Sequence, residues 1–310
     1  MSVRTTLRFS SAGTDCDAWH FPGEGDALAT TAGRPVVVMA HGLGGTKDSG
    51  LEPFAARLSQ AGLDVLAFDY RGFGASGGSP RQQVSMEGQL ADYRAAMTAA
   101  AALPGVDAQR LVLWGVSLAG GHVIAAGADR DDVAAVVALT PLVDGVAAGR
   151  HALASHSPAS LLRSTAAGVR SRAGRRPVMM PVVGRPGETA ALTLPGLYED
   201  YLALAGPTWV NEIDAAVGLE LGGHRPGRLA SRVRCPMLVQ IADFDRSAPP
   251  RAAAKAAFKG RAEVRHYPCD HFDVWPGKDW FEPAVEHQVA FLTRHLATAP
   301  AGVDQNENTF

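Results

Sequence analysis

The sequence predicts an α/β protein built on a doubly wound, mainly parallel sheet, and three observations carry that reading. Buried-strand runs recur at Pro35 to Ala40, Asp64 to Phe68, Leu111 to Trp114, Val133 to Thr140 and Cys235 to Ala242, the pattern of strands covered on both faces. Apolar residues at helical spacing separate them, from Leu51 to Ala61, Ser85 to Leu103, Leu118 to Ala128 and Arg251 to Phe258, which is the grammar of βαβ units. The stretch Leu111-Val-Leu-Trp-Gly-Val-Ser-Leu-Ala-Gly-Gly-His122 breaks at Gly115 and restarts as a helix after Ser117, so it reads as strand, tight turn, helix.

From the N-terminus, Val3 to Phe9 and Ala18 to Phe21 read as two short strands of an edge hairpin. The first buried strand ends in His41-Gly-Leu-Gly-Gly45, and the helix after it stops at Gly62. After the second comes Asp69-Tyr-Arg-Gly-Phe-Gly-Ala-Ser-Gly-Gly78, with a literal G-x-G-x-x-G at Gly72, Gly74 and Gly77. A dinucleotide site needs a helix to open inside the glycine run so that its amides meet the pyrophosphate. Here the glycines continue towards Pro80 and the helix pattern begins only near Ser85, so no cofactor is expected.

Alternation stops after Pro141. Residues 143–230 carry prolines at 158, 177, 181, 186, 195, 207 and 226 with short helical patches, and they read as a helical cap insertion rather than a separately folded domain. The grammar returns with the Cys235 strand, the turn Asp243-Phe-Asp-Arg-Ser-Ala-Pro249, a strand from Ala262 to Tyr267, the loop Pro268-Cys-Asp-His-Phe-Asp273 and a last helix from Phe281 to Leu296. The chain therefore divides into a core of 1–142 and 231–298, a cap of 143–230 and a polar, mobile tail of 299–310.

Composition limits the function classes. Hydrophobic residues at 46%, charged residues at 19% and a net charge of -2 describe a globular chain with no electrostatic case for nucleic acid. Cys16, Cys235 and Cys269 are odd in number and lack C-x-x-C spacing, so neither a disulfide framework nor a zinc knuckle is expected. The first residues lack a continuous apolar run, and no uncharged apolar stretch of about 18 residues exists, so no signal peptide and no membrane span are expected. A cytoplasmic protein is the simplest inference, and a homodimer is compatible with the sequence.

The motifs together resemble the α/β-hydrolase superfamily over nearly the whole chain outside the cap and tail. They are His41-Gly42 after an early strand, the Asp69 to Gly78 loop, the elbow around Ser117, and an acid followed by a histidine after the last two strands. The elbow departs mildly from G-x-S-x-G, with Ala119 in the last position and glycine delayed to Gly120, and in part it resembles that of the prolyl dipeptidyl-peptidase and cocaine-esterase-like branch. A serine hydroxyl is a poor nucleophile near neutral pH, so a neutral imidazole must take its proton and a carboxylate must hold that imidazole in the right tautomer. By resemblance Ser117 is the nucleophile, His271 the base and Asp245 the acid, with Asp243 and Asp144 as alternative acids. The resemblance also implies an oxyanion hole from the backbone N–H groups of Leu43 and Leu118. His41 is expected to brace its loop, and His122 to pack.

The implied reaction is hydrolysis of an acyl bond, a carboxylic ester first, through an acyl-serine intermediate. The alternatives are a thioesterase or lactonase and, in another class, a non-catalytic ligand-binding protein on the same fold. The substrate is a small-molecule acyl ester or thioester, with no cofactor and no metal. Asp270 and Asp273 flank His271, but no second histidine lies at ligand spacing. A serine at the elbow argues against dehalogenase and epoxide-hydrolase chemistry, which need a carboxylate there. Met179, Met180, Tyr198, Tyr201 and Trp209 offer an apolar roof over Ser117 or simply hold the cap down, and Tyr201 and Trp209 are the candidate substrate-binding residues. Arginines at 163, 170, 172, 175, 176 and 185 either receive an anionic acyl carrier or form a solvated face.

Overall fold

A computed structural model describes residues 4–155, 158–174 and 176–297. The tail expected at 299–310 and Arg175 lie outside the described residues. Among the described residues the sheet contains eight strands: β1 (Thr5–Ser11), β2 (Thr14–Phe21), β3 (Arg34–Ala40), β4 (Asp64–Phe68), β5 (Val106–Val116), β6 (Val133–Leu139), β9 (Met237–Ala242) and β10 (Glu263–Tyr267). Their spatial order is β1-β2-β4-β3-β5-β6-β9-β10. Within this sheet the pairings β4–β3, β3–β5, β5–β6, β6–β9 and β9–β10 are parallel, and the β1–β2 hairpin and its junction with β4 are antiparallel. The hairpin closes through Ala12 and Gly13, both at positive φ (47° and 78°), the conformation that suits the twist of a tight hairpin.

Alternate residues of the central strands feed two separate cores, because successive strand side chains point to opposite faces. Val36, Val38, Leu111, Leu113, Val136 and Val239 pack with residues of α2 (Met86–Ala101), α3 (Leu118–Gly127) and α8 (Pro250–Lys259). Val37, Met39, Val112, Trp114, Val137 and Leu238 pack with α1 (Glu52–Gln60) and α9 (Phe281–Leu296). Burial on both faces is why these strands read as unbroken apolar runs. Ser85 caps α2, its Oγ accepting the Gly88 N–H at 3.1 Å, and so sets the helix start where the pattern suggested.

Between β6 and β9 lies the segment that the sequence marks as an insertion. It holds α4 (Gly145–Ser155), α5 (Pro158–Ala173), α6 (Leu197–Leu204) and α7 (Val217–Gly223), with a two-residue antiparallel pair of β7 (Met179–Met180) and β8 (Ile213–Asp214) that the sequence pattern does not announce. The strand order reverses between β3 and β5, where Ala40 pairs with Gly115. In open α/β sheets the crevice at such a switch point, outside the strands' carboxyl ends, is where ligands bind. Among the described residues no helix is long and apolar enough to cross a membrane.

Candidate active site

Ser117 stands between the end of β5 and the start of α3 with φ 56° and ψ -117°. A non-glycine residue in that region is strained, and the surrounding backbone holds it there. The Ser117 N–H donates to the Leu139 carbonyl at 2.9 Å, and the Leu142 N–H donates to the Ser117 carbonyl at 2.8 Å. Its side chain does not cap the helix, so the hydroxyl is left for other work. The small neighbours have separate reasons. A methyl on Gly115 would come 2.2 Å from the Ala119 carbonyl oxygen, and one on Gly120 would come 2.7 Å from Pro141 Cβ. The delayed glycine of the elbow is thus accounted for, since the close approach falls at Gly120.

The loop after β10 carries His271, buried at 3% exposure, and the turn after β9 carries Asp245, buried at 4%. His271 Nδ1 donates to Asp245 Oδ2 at 2.6 Å. The other carboxylate oxygen accepts the backbone N–H groups of Ser247 at 2.8 Å and Ala248 at 2.6 Å, which fixes the carboxylate's orientation. Burial alone would lower the His271 pKa, but the Asp245 charge and hydrogen bond, with a contribution from Asp270, outweigh it and raise the pKa above 6.5. The two alternative acids are engaged elsewhere. Asp243 meets the exposed ring of His266 at 2.7 Å. Asp144 Oδ1 accepts the N–H groups of Val146 and Ala147, at 3.0 and 3.1 Å, at the start of α4. Asp270 and Asp273 are tied into their own turn, Asp270 by Arg246 and by the His271 N–H, Asp273 by the Asp270 N–H.

The loop His41 to Gly45 passes directly beside the serine: a methyl on Gly42 would lie 2.9 Å from Ser117 Cβ. Leu118 is the first residue of α3, so its N–H has no intrahelical acceptor. His41 Nδ1 donates to the Gly42 carbonyl at 2.9 Å, and burial keeps the ring neutral by lowering its pKa. That agrees with a bracing histidine. His122 is likewise buried, with Nε2 at 3.0 Å from Gln89 Oε1.

A cavity of about 470 Å³ opens above these residues, in the range of small-molecule sites. Its floor includes Leu43, Ser117, Leu118 and His271, and its walls come from the insertion through Ala148, Met180, Leu192, Tyr201 and Leu221. The lining is mostly aliphatic, with Phe272 and Trp275 beside His271. Tyr201 therefore reaches the cavity. Trp209 is not among the lining residues; its indole N–H donates to the Gly44 carbonyl at 2.9 Å, and Tyr201 Oη donates to the Leu43 carbonyl. In the arginine streak, Arg172 pairs with Glu220, and Arg185 pairs with Glu199 while stacking on Tyr198.

One buried cluster has no signature in the sequence. Lys47, 2% exposed, places Nζ 2.7 Å from Asp17 Oδ1 and 2.6 Å from Asp69 Oδ2, and its N–H donates to Asp69 Oδ1 at 2.6 Å. Asp69 also accepts the Ala75 N–H at 3.0 Å. One carboxylate thereby ties the His41 loop to the glycine-rich loop. A methyl on Gly74 would sit 2.3 Å from that carboxylate, so this glycine leaves room for Asp69. No spacing signal pairs Lys47 with Asp17 and Asp69, and a single lysine in a glycine loop ordinarily reads as exposed.

A mainly parallel sheet with this strand order and a serine elbow at its switch point defines an α/β hydrolase. The chain belongs to the family described as serine aminopeptidase, S33, whose model matches residues 31–269. It is similar to the quorum-quenching protein AidA of Acinetobacter baumannii, 35% identical over 295 residues that cover 93% of this chain and 94% of that one. It is also 35% identical to the thiohydrolase aneE of Aspergillus aculeatus over 161 residues, half of each chain. Among solved structures, the α/β hydrolase GrgF from a Penicillium species superposes with a TM-score of 0.79 over 96% of this chain and all of that one, at 24% identity.

Proposed function

We propose that the protein is a serine hydrolase that cleaves an acyl bond carried by an apolar acyl group. Ser117 attacks the carbonyl, neutral His271 takes its proton at Nε2, and Asp245 holds the ring through Nδ1 and stabilises the imidazolium that forms. The N–H groups of Leu43 and Leu118 receive the developing oxyanion. The acyl-serine is then released by water activated by the same histidine. One observation carries the reading: a strained serine and His271, whose Nδ1 is hydrogen-bonded to buried Asp245 at 2.6 Å, line one mostly aliphatic cavity. The insertion acts as the cap of that cavity, and its aliphatic wall accepts the acyl group while the leaving group remains towards the opening.

A carboxylic ester is the simplest substrate. A lactone or a thioester is the second reading, favoured by relatives named as a quorum-quenching protein and as a thiohydrolase. Turnover of 4-nitrophenyl esters, aliphatic lactones and acyl thioesters, each against Ser117→Ala as blank, tests both. Serine-dependent turnover that favours lactone or thioester over ester selects the second reading. Turnover that Ser117→Ala retains overturns both.

A further inference from the structure

The loop that lies beside Ser117 is His41-Gly-Leu-Gly-Gly45, and three of its residues are glycines, so its own side chains give it little rigidity. Three successive peptide units in it are nevertheless each held by an aromatic side chain. The Gly42–Leu43 unit, which carries the Leu43 N–H, has its carbonyl held by His41 Nδ1 at 2.9 Å and by the Gly45 N–H at 3.4 Å. The next carbonyl, that of Leu43, accepts the Tyr201 hydroxyl. The one after it, that of Gly44, accepts the Trp209 indole N–H at 2.9 Å. The last two donors come from the insertion, 158 and 165 residues along the chain from their acceptors.

The same stretch of insertion grips the loop further on. The Thr208 N–H donates to Asp48 Oδ2 at 2.9 Å, and Gly206 lies so close that a methyl on it would be 2.4 Å from Asp48 Cγ. Val182 of the insertion packs on Gly44, where an added methyl would meet its Cγ atoms at 2.9 Å. Tyr201 and Trp209 also pack together, with ring centroids 5.7 Å apart. Burial raises the Tyr201 phenol pKa far above neutrality, so the hydroxyl stays a donor.

We infer that Tyr201 and Trp209 are positioning residues for the oxyanion hole: the insertion aims the Leu43 N–H by clamping the next two peptide units, and so couples its own docking to assembly of the catalytic centre. This rests on the proposed serine mechanism. A peptide plane cannot turn its N–H without turning its C=O, and the Gly45 N–H that holds the Gly42 carbonyl belongs to the unit Trp209 holds. Preorganised donors matter because they stabilise charge that exists only in the transition state, so a clamp of this kind affects kcat more than KM.

Tyr201→Phe and Trp209→Phe each remove one donor and keep a ring. The test measures kcat and KM per active site with 4-nitrophenyl acetate, butyrate and octanoate, together with the rate of labelling by a small fluorophosphonate, whose phosphoryl oxygen uses the same hole. Since loss of a whole oxyanion donor costs on the order of 10²- to 10³-fold in kcat, misaiming one is expected to cost about tenfold. The expected result is that factor in kcat for all three esters, KM within about twofold, and slower labelling. A loss that grows with acyl length would make these residues substrate contacts and overturn the clamp. A lower melting temperature with unchanged kcat per active site would make them mere packing and overturn it equally. If the unsubstituted protein itself neither turns over nor labels, the serine mechanism falls and the clamp falls with it.

Discussion

Replacing Asp245 by Asn keeps shape and removes one charge, and the hydrogen bonds around the side chain determine which way the new amide turns. In the folded protein Oδ1 accepts two backbone N–H groups, from Ser247 and Ala248, and Oδ2 accepts His271 Nδ1. An asparagine has one oxygen for these two tasks. Turning its oxygen to the histidine would aim its NH₂ at two backbone donors and leave both unsatisfied, at about 1–3 kcal/mol each. It therefore turns its oxygen to the amides and its NH₂ to the ring, so Nδ1 must accept and the proton moves to Nε2. That tautomer cannot take a proton from Ser117. A bias of roughly 2 kcal/mol or more against the useful tautomer, added to about 2 kcal/mol for the lost charge-assisted bond to the imidazolium, is of order a thousandfold in kcat. The assay is initial-rate hydrolysis of 4-nitrophenyl butyrate per folded protein, with Asp243→Asn as the control. The Asp243 side chain meets the exposed His266, away from His271, so the control is expected to stay within about twofold. Asp245→Asn within tenfold of the parent, or a larger loss at Asp243, would refute this assignment of the acid.

Three further outcomes are expected from the same structure. In the proposed mechanism His271 acts as a neutral base, and its pKa is raised above 6.5, so kcat/KM is expected to fall on the acid side through a midpoint above 6.5; the same shift contributes folding stability below pH 6.5 that is lost as pH rises through the folded value. A pH–rate profile with an acid limb at or below 6.5 would contradict it. Ala148→Leu adds three carbons to the cavity wall, so the ratio of kcat/KM for octanoate over acetate is expected to drop about tenfold or more, since each excluded methylene is worth roughly 0.8 kcal/mol. An unchanged ratio would place the acyl chain elsewhere. Lys47→Met leaves buried Asp69 without its cation and Asp17 with only the exposed Arg8 at 3.6 Å, and is expected to cost about 3–5 kcal/mol in urea unfolding, whereas a change under 1 kcal/mol would show that the cluster is not needed for stability.

The core strands were legible because burial on both faces writes them as apolar runs, and Ser85 and Ser117 mark helix starts in ways a sequence displays. The start of β5 was not, since Val106 to Arg110 is half-exposed and mostly polar and joins the sheet through an irregular register against β3. In the insertion, prolines showed where alternation stopped but not how α4 to α7 would pack. The choice between Asp243 and Asp245 depended on the turn after β9: two residues apart, one side chain meets His271 and the other meets His266. Tyr201 and Trp209 stood out as large aromatics, yet whether an aromatic touches a ligand or a backbone carbonyl depends on contacts across more than 150 residues, which local pattern cannot carry. Lys47 was hidden for the same reason.

The proposed reaction depends above all on Ser117 being the nucleophile at the floor of the cavity. The most direct measurement is mass spectrometry of the protein after reaction with a fluorophosphonate, with peptide mapping of the adduct. One phosphonyl group per chain is expected, on Ser117, abolished in Ser117→Ala and much slowed in His271→Ala. An adduct on another residue, or none in a protein that still hydrolyses its substrate, would contradict it.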